Sequence, residues 1–96
     1  MNTTKFKIRL GSRIWFFRFV KSKEISSDAY GDSDSALAHP QIRVRQALRG
    51  KTMLDVIIHE GLHASRPELA EEAVTETASD IARLLWKVGY RLREDK

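Results

Sequence analysis

The sequence predicts a small α+β domain in which a three-stranded antiparallel or mixed sheet packs on two helices. Three observations favour this fold class: an alternating apolar segment near residue 5, a shorter one at 41–45, and helical periodicity over much of the second half of the chain. A chain of 96 residues can enclose only one hydrophobic core. We therefore expect a single domain over residues 1–96.

Composition excludes several classes of function. Cysteine is absent, which rules out disulfides, cysteine-ligated metals and a thiol nucleophile. No segment has the roughly 20 apolar residues of a membrane span, and residues 1–10 lack the apolar core of a signal peptide, so we expect a cytoplasmic protein. The net charge of +4 is unevenly distributed: residues 1–23 carry seven bases and no acid, whereas residues 24–96 carry ten bases and thirteen acids.

Residues 1–21 are predicted to form a basic β-hairpin. From residue 5 to residue 10, bases alternate with Phe6, Ile8 and Leu10, which is typical of a half-buried strand. Gly11 and Ser12 suit a two-residue turn, and residues 13–20 are rich in aromatic and β-branched side chains. Both faces of this second strand carry apolar groups, so we expect it to be covered on both sides.

The middle of the chain is predicted to hold one loop and one strand. Residues 22–40 are rich in Ser, Asp and Gly and show no period, which indicates a long loop closed by Pro40. Loops of this length are unusual in a compact domain, so a short strand, or a passage near a binding cleft, stays open for part of this segment. Residues 41–45 alternate apolar Ile42 and Val44 with Arg43 and Arg45. This pattern favours an edge strand with one wet face.

Two helices are predicted in the second half of the chain. The first covers residues 52–64, with Thr52 as N-cap and Asp55 as the capping-box acid. Ser65 can cap the second helix, which covers residues 66–88 and should end at Gly89.

The first helix carries the segment His59-Glu60-Gly61-Leu62-His63, which has the H-E-x-x-H pattern. Two imidazoles four residues apart lie on one face of a helix, one turn from each other, and can bind one zinc ion. The acid after the first His then reaches the water held by the metal. We therefore predict a Zn²⁺ cofactor bound by His59 and His63, with Glu60 as the general base.

With these residues in place, the chain resembles the zincin metallopeptidases, and in particular very small gluzincin-type members from phages and prokaryotes. The resemblance covers about residues 41–90. It implies a zinc-dependent peptidase with a glutamate ligand on the second helix. It also implies a polypeptide substrate bound by the edge strand, here Ile42, Arg43, Val44 and Arg45. The H-x-x-G-x-x-H extension of the metzincin branch does not follow Leu62-His63.

Two arguments about the third ligand disagree. A short turn between the helices favours Glu71 or Glu72, of which we prefer Glu72 as the ligand. The spacing of Glu76 and Asp80 is similar to the gluzincin pattern of a ligand Glu followed by an Asp that orients a ligand His. Glu76 is therefore the alternative ligand, with Asp80 as the supporting acid.

The leading functional hypothesis is hydrolysis of peptide bonds, with activity that is either constitutive or latent. The residue that stabilises the oxyanion stays open among Tyr30, His39, Tyr90 and Arg91. Arg43 and Arg45 would favour acidic stretches of substrate.

The alternative hypothesis is a catalytically silent module. It would act through its basic aromatic hairpin on a protein partner or on nucleic acid, although nucleic acid is not the favoured partner. We expect no membrane association, and either a monomer or a homodimer.

Overall fold

A computed structural model describes residues 5–21, 24–25, 29–35 and 39–93 and shows four strands and two helices there. In chain order they are β1 (Lys5–Leu10), β2 (Arg13–Val20), β3 (Gly31–Asp34), β4 (Gln41–Arg45), α1 (Gly50–Ser65) and α2 (Glu71–Val88). The α+β class is confirmed. The expected number of three strands is wrong, because the sheet has four.

The sheet is mixed and has the strand order β1-β2-β4-β3. β1 and β2 form the predicted antiparallel hairpin, in which Phe6 pairs with Phe17 and the turn residue Gly11 has a φ of 63°. β2 runs parallel to β4, and β4 runs antiparallel to β3. The two edges of the sheet are therefore β1 and β3.

The region predicted as a loop and an edge strand differs most from expectation. β3 lies inside residues 22–40, which we assigned to a loop while leaving a short strand open for part of it. β4 is an inner strand, since it pairs with β2 on one side and β3 on the other. The predicted edge position of residues 41–45 is therefore wrong. Burial explains the placement, because Ile42 and Val44 are only 1% and 0% exposed and need neighbours on both sides.

One face of the sheet packs on α1 and forms the core. Trp15 and Phe17 of β2 meet Ile42 and Val44 of β4, and Met53 and Ala64 of α1 complete the cluster. α2 packs on α1, and its fully buried residues are the small side chains Val74, Ala78 and Ala82. The opposite face of β2 is covered only in part, since Val20 is buried whereas Ile14 and Phe16 are exposed.

The helix starts differ from those predicted, and one helix end agrees. α1 begins at Gly50, ahead of the expected cap Thr52, and the Asp55 carboxylate instead accepts a hydrogen bond from Ser79 Oγ at 3.3 Å. α2 begins at Glu71 and leaves residues 66–70 as a turn. The predicted stop at Gly89 is confirmed by its φ of 115°. Neither helix in the described ranges has the length and apolar character needed to cross a membrane.

Candidate metal centre

The two histidines of the H-E-x-x-H segment lie side by side on α1. Their ring centroids are 4.9 Å apart, and the ring planes are inclined by 67°. The side chains of His59 and His63 are 21% and 27% exposed, so both rings border solvent from a half-buried position. Spacing of four residues on a helix accounts for this arrangement.

A carboxylate from α2 completes the cluster. Glu71 Oε1 lies 2.8 Å from His63 Nε2, and Glu71 Oε2 lies 3.2 Å from His59 Nε2. Glu71 is the first residue of α2, where the helix dipole favours a negative charge. The turn at residues 66–70 reverses the chain, so this helix start lies against the histidine pair.

The donor set could hold a metal ion. One ligand atom from each of His59, His63 and Glu71 lies within 4.8 Å of the other two. Ligands about 2.0–2.1 Å from one tetrahedral zinc ion stand roughly 3.3 Å apart. The two His–Glu separations, 2.8 and 3.2 Å, are near this value. Two imidazoles and one carboxylate are also a set that catalytic zinc sites use, with the fourth position left for water.

The acids that we expected as third ligand and support lie elsewhere on α2. Glu72 and Glu76 are exposed and do not join the cluster of described metal-binding groups. Successive helix residues are about 100° apart, so Glu72 points away from the direction of Glu71. Asp80 accepts a hydrogen bond from Arg83, and its side chain is 63% exposed. It lies nine residues after Glu71, on the opposite face of the helix.

Glu60 lies beside this cluster and is buried. It is 7% exposed and is the one charged residue in the buried part of the described chain. Burial raises the pKa of the Glu60 carboxyl above its ordinary value, while the nearby His59 and a hydrogen bond from Ser33 lower that pKa to a smaller extent. The carboxylate therefore stands in a partly dehydrated position next to the histidine pair.

β3 forms the wall opposite α1. A Cβ atom at Gly31 would stand 2.9 Å from Val56 Cγ1, 2.9 Å from the Arg43 carbonyl oxygen and 3.3 Å from Glu60 Cγ. Only glycine therefore lets β3 approach α1 this closely. An open cleft of about 530 Å³ lies between the two elements, with Ser33 on the β3 wall and His59, Glu60 and Glu71 on the helical wall.

Trp15 contributes to the same cleft from β2. The residue is 3% exposed, and its indole Nε1 is the buried side-chain polar atom in the described ranges that has no hydrogen-bond partner. Buried indole N–H groups usually find a partner, so this donor at the cleft is unusual.

The side chains of β4, which we expected to bind substrate, do not face the cleft. Ile42 and Val44 belong to the core. Arg43 donates to Asp32 through Nε at 2.9 Å and also through Nη2, and Arg45 donates to the Ala29 carbonyl oxygen. Arg43 and Arg45 are therefore occupied by contacts within the fold.

Of the four candidates for oxyanion stabilisation, Tyr30 alone borders the histidine motif. It lines a pocket of about 290 Å³ together with His59 and Glu60. His39 instead contacts the Phe16 ring edge-on at 5.6 Å, and Arg91 stacks 3.4 Å above the Trp86 ring. Tyr90 is 63% exposed and does not line that pocket.

The sequence interpretation missed several cleft residues, namely Trp15, Gly31 and Ser33. Trp15 looks like an ordinary core residue, and Gly31 and Ser33 lie in a polar segment without apolar alternation. Two signals were available: the unusual length of the predicted loop and the spacing of Asp32 and Asp34, of which Asp32 lies opposite Arg43 and Asp34 opposite Gln41.

Comparisons of the chain with protein-family models, with curated proteins and with solved structures find no match. The function is therefore inferred from the residues of the site.

Proposed function

We propose that this protein is a zinc-dependent metallopeptidase of the gluzincin type. The observation that carries the proposal is the convergence of His59, His63 and Glu71 from two helices, next to the buried Glu60. His59 and His63 would hold the metal from α1, and Glu71 from α2. Glu71 takes the place that we first assigned to Glu72 or Glu76.

Glu60 performs the proton transfers in this proposal. A zinc ion bound at the site would supply a Lewis acid and lower the pKa of a water molecule. The Glu60 carboxylate accepts a proton from the attacking water and delivers it to the nitrogen of the departing amine, so the proton balance closes over one turnover. The Ser33 hydrogen bond and the packing against Gly31 hold this carboxylate at the cleft. Tyr30 shares a pocket with His59 and Glu60, and its hydroxyl would be the donor to the developing oxyanion.

We assign the binding of the peptide substrate to the edge strand β3 instead of β4. β3 pairs with β4 on one side, and no described strand pairs with its other side. Backbone groups at a free edge can pair with an extended peptide, whereas β4 has no free edge. β3 also forms one wall of the cleft that contains Glu60. A peptide added to β3 would therefore lie along the candidate centre.

The test is metal content followed by hydrolysis. We expect about one zinc ion per chain in protein purified without added metal or a His-tag, and its loss in His59→Ala. The wild type should cleave unfolded protein substrates, while Glu60→Gln should keep the metal and lose about 10²- to 10⁴-fold in rate. Failure of titrated zinc to bind would overturn the proposal. Full cleavage by Glu60→Gln would overturn the role of Glu60.

A second candidate function uses a different surface. β1 carries a row of three bases, Lys5, Lys7 and Arg9, and none of them has an ion-pair partner in the described fold. This row favours a role in binding a partner of opposite charge. A catalytically silent protein would then act through this hairpin. Zinc binding without any hydrolysis, together with partner binding at β1, is the result that would favour this candidate.

A further inference from the structure

The outer edge of β1 has the features of a docking site for an extended segment of another protein. β1 is the edge strand opposite β3, and no described strand pairs with its outer side. Three strand spacings of about 4.8 Å separate β1 from β3, so the two edges lie roughly 14 Å apart. A ligand on β1 can therefore bind without contacting the candidate metal centre.

One face of β1 is apolar and incompletely covered. Phe6 and Ile8 are 43% and 40% exposed, although Phe6 stacks on Phe17 with a centroid separation of 5.0 Å. Both border a largely apolar groove of about 350 Å³, whose other lining residues include Ile57 of α1 and Leu92 after α2. Since α1 packs mainly over β3 and β4, it leaves this side of the sheet open.

The other face of β1 carries only bases. Lys5, Lys7 and Arg9 are exposed, and none has an ion-pair partner among the described residues. The inner strands differ, since Arg18 pairs with Glu24 at 3.0 Å and Arg43 pairs with Asp32. Three bases without an ion-pair partner in the described ranges thus stand in one row on the edge strand.

A second copy of this chain does not suit this edge. Residues directly opposite each other in an antiparallel pair lie on the same face of the sheet, so two β1 strands would place bases opposite bases. A parallel pair related by a twofold axis would put the basic row of one copy beside the apolar row of the other. Like charges directly opposite each other are destabilising, so pairing between the β1 edges of two copies is disfavoured.

We propose that β1 binds an extended segment of a partner protein in which acidic and apolar residues alternate. The acidic side chains would face Lys5, Lys7 and Arg9, and the apolar side chains would extend the row of Phe6 and Ile8 over the groove. Backbone hydrogen bonds to the outer edge of β1 would supply the rest of the affinity. A nucleic-acid strand is a poorer fit, because it would use the basic face and leave the apolar row uncovered.

The test measures binding of two short labelled peptides to the full chain. One alternates Glu with Val, and the other alternates Lys with Val. We expect the Glu peptide to bind about tenfold or more tightly than the Lys peptide, with an affinity that falls as salt is added. Lys7→Glu lowers the charge of this row from +3 to +1 and should reduce this preference. Lys51→Glu, which changes an exposed lysine on α1, is the matched control and should leave it unchanged.

Backbone NMR of the wild type should show the largest changes at β1 and at Leu92 when the Glu peptide is added. The proposal is overturned if neither peptide binds at millimolar concentration or if both bind equally. Displacement of the Glu peptide by a tighter-binding single-stranded oligothymidylate would assign the surface to nucleic acid instead. A protein dimer in sedimentation that dissociates when the Glu peptide is added would assign it to a second copy. None of these outcomes depends on zinc or on peptide hydrolysis.

Discussion

The candidate metal centre and the β1 edge are built in different ways. The centre collects its groups from three elements: His59 and His63 from α1, Glu71 from α2, and Ser33 from β3. The β1 edge collects its bases from one strand with a period of two. A site of the first kind depends on how helices and strands meet, whereas a surface of the second kind depends only on local strand geometry.

The two regions also differ in how deeply their charged groups are buried. Glu60 is almost fully buried, and burial raises the pKa of its carboxyl. The bases of β1 are exposed and keep their hydration. Single substitutions should therefore have large effects in the cleft and small effects on the stability of the hairpin.

The largest effect should come from the ligand on α2. Glu71→Gln removes the carboxylate that contacts both imidazoles, so we expect zinc affinity to fall about 100-fold or more. Glu72→Gln is the matched control, because it makes the same chemical change one residue along and about 100° around the helix. Competition with a zinc-binding dye measures both affinities. Equal losses, or a loss confined to Glu72→Gln, would contradict the assignment of Glu71.

The contact between β3 and α1 should give the next largest effect. Gly31→Ala forces Val56 and the Arg43 carbonyl to move, and we expect the free energy of unfolding to fall by about 1–3 kcal/mol. Gly61→Ala is the control within α1, since a Cβ atom there meets nothing within 4 Å. That variant should gain about 0.5–1 kcal/mol from helix propensity. Urea denaturation measures both, and an unchanged Gly31→Ala protein would mean that the close wall of the cleft is not required.

The smallest effect should be on how the stability of the metal-free protein depends on pH. The pKa of Glu60 in the folded protein lies above the ordinary value of 4.5, so the folded state holds its proton longer than the unfolded state. This contribution to stability is complete below the unfolded pKa and is lost as pH rises through the folded pKa. Glu60→Gln removes this ionisation while keeping both histidines.

The measurement is urea denaturation of chelated protein at a series of pH values. The wild type should lose stability relative to Glu60→Gln as pH rises above about 4.5. Lys7→Gln on the exposed hairpin should stay within about 0.5 kcal/mol of the wild type throughout. A parallel pH dependence of the wild type and Glu60→Gln would show that Glu60 is not dehydrated in the fold.

The accuracy of the sequence predictions follows the same division between local and long-range structure. The hairpin at β1 and β2 and the stop of α2 at Gly89 were predicted, because alternation and a left-handed glycine are local signals. β3 was left open but could not be placed, because its sequence, Gly-Asp-Ser-Asp, has no apolar alternation and its pairing with β4 forms it. The edge position of β4 was wrong for the same reason, since the missing strand occupies that edge.

The sequence by itself determined which groups share one face of one element. His59 and His63 had to lie together because helix residues four apart are neighbours, and Lys5, Lys7 and Arg9 had to lie together because strand residues alternate. Only the tertiary structure decided which acid meets the histidines. The length of the turn before α2 sets the rotation of that helix, and a shift of one residue turns a side chain by about 100°. That rotation brings Glu71, rather than Glu72, to the candidate metal centre.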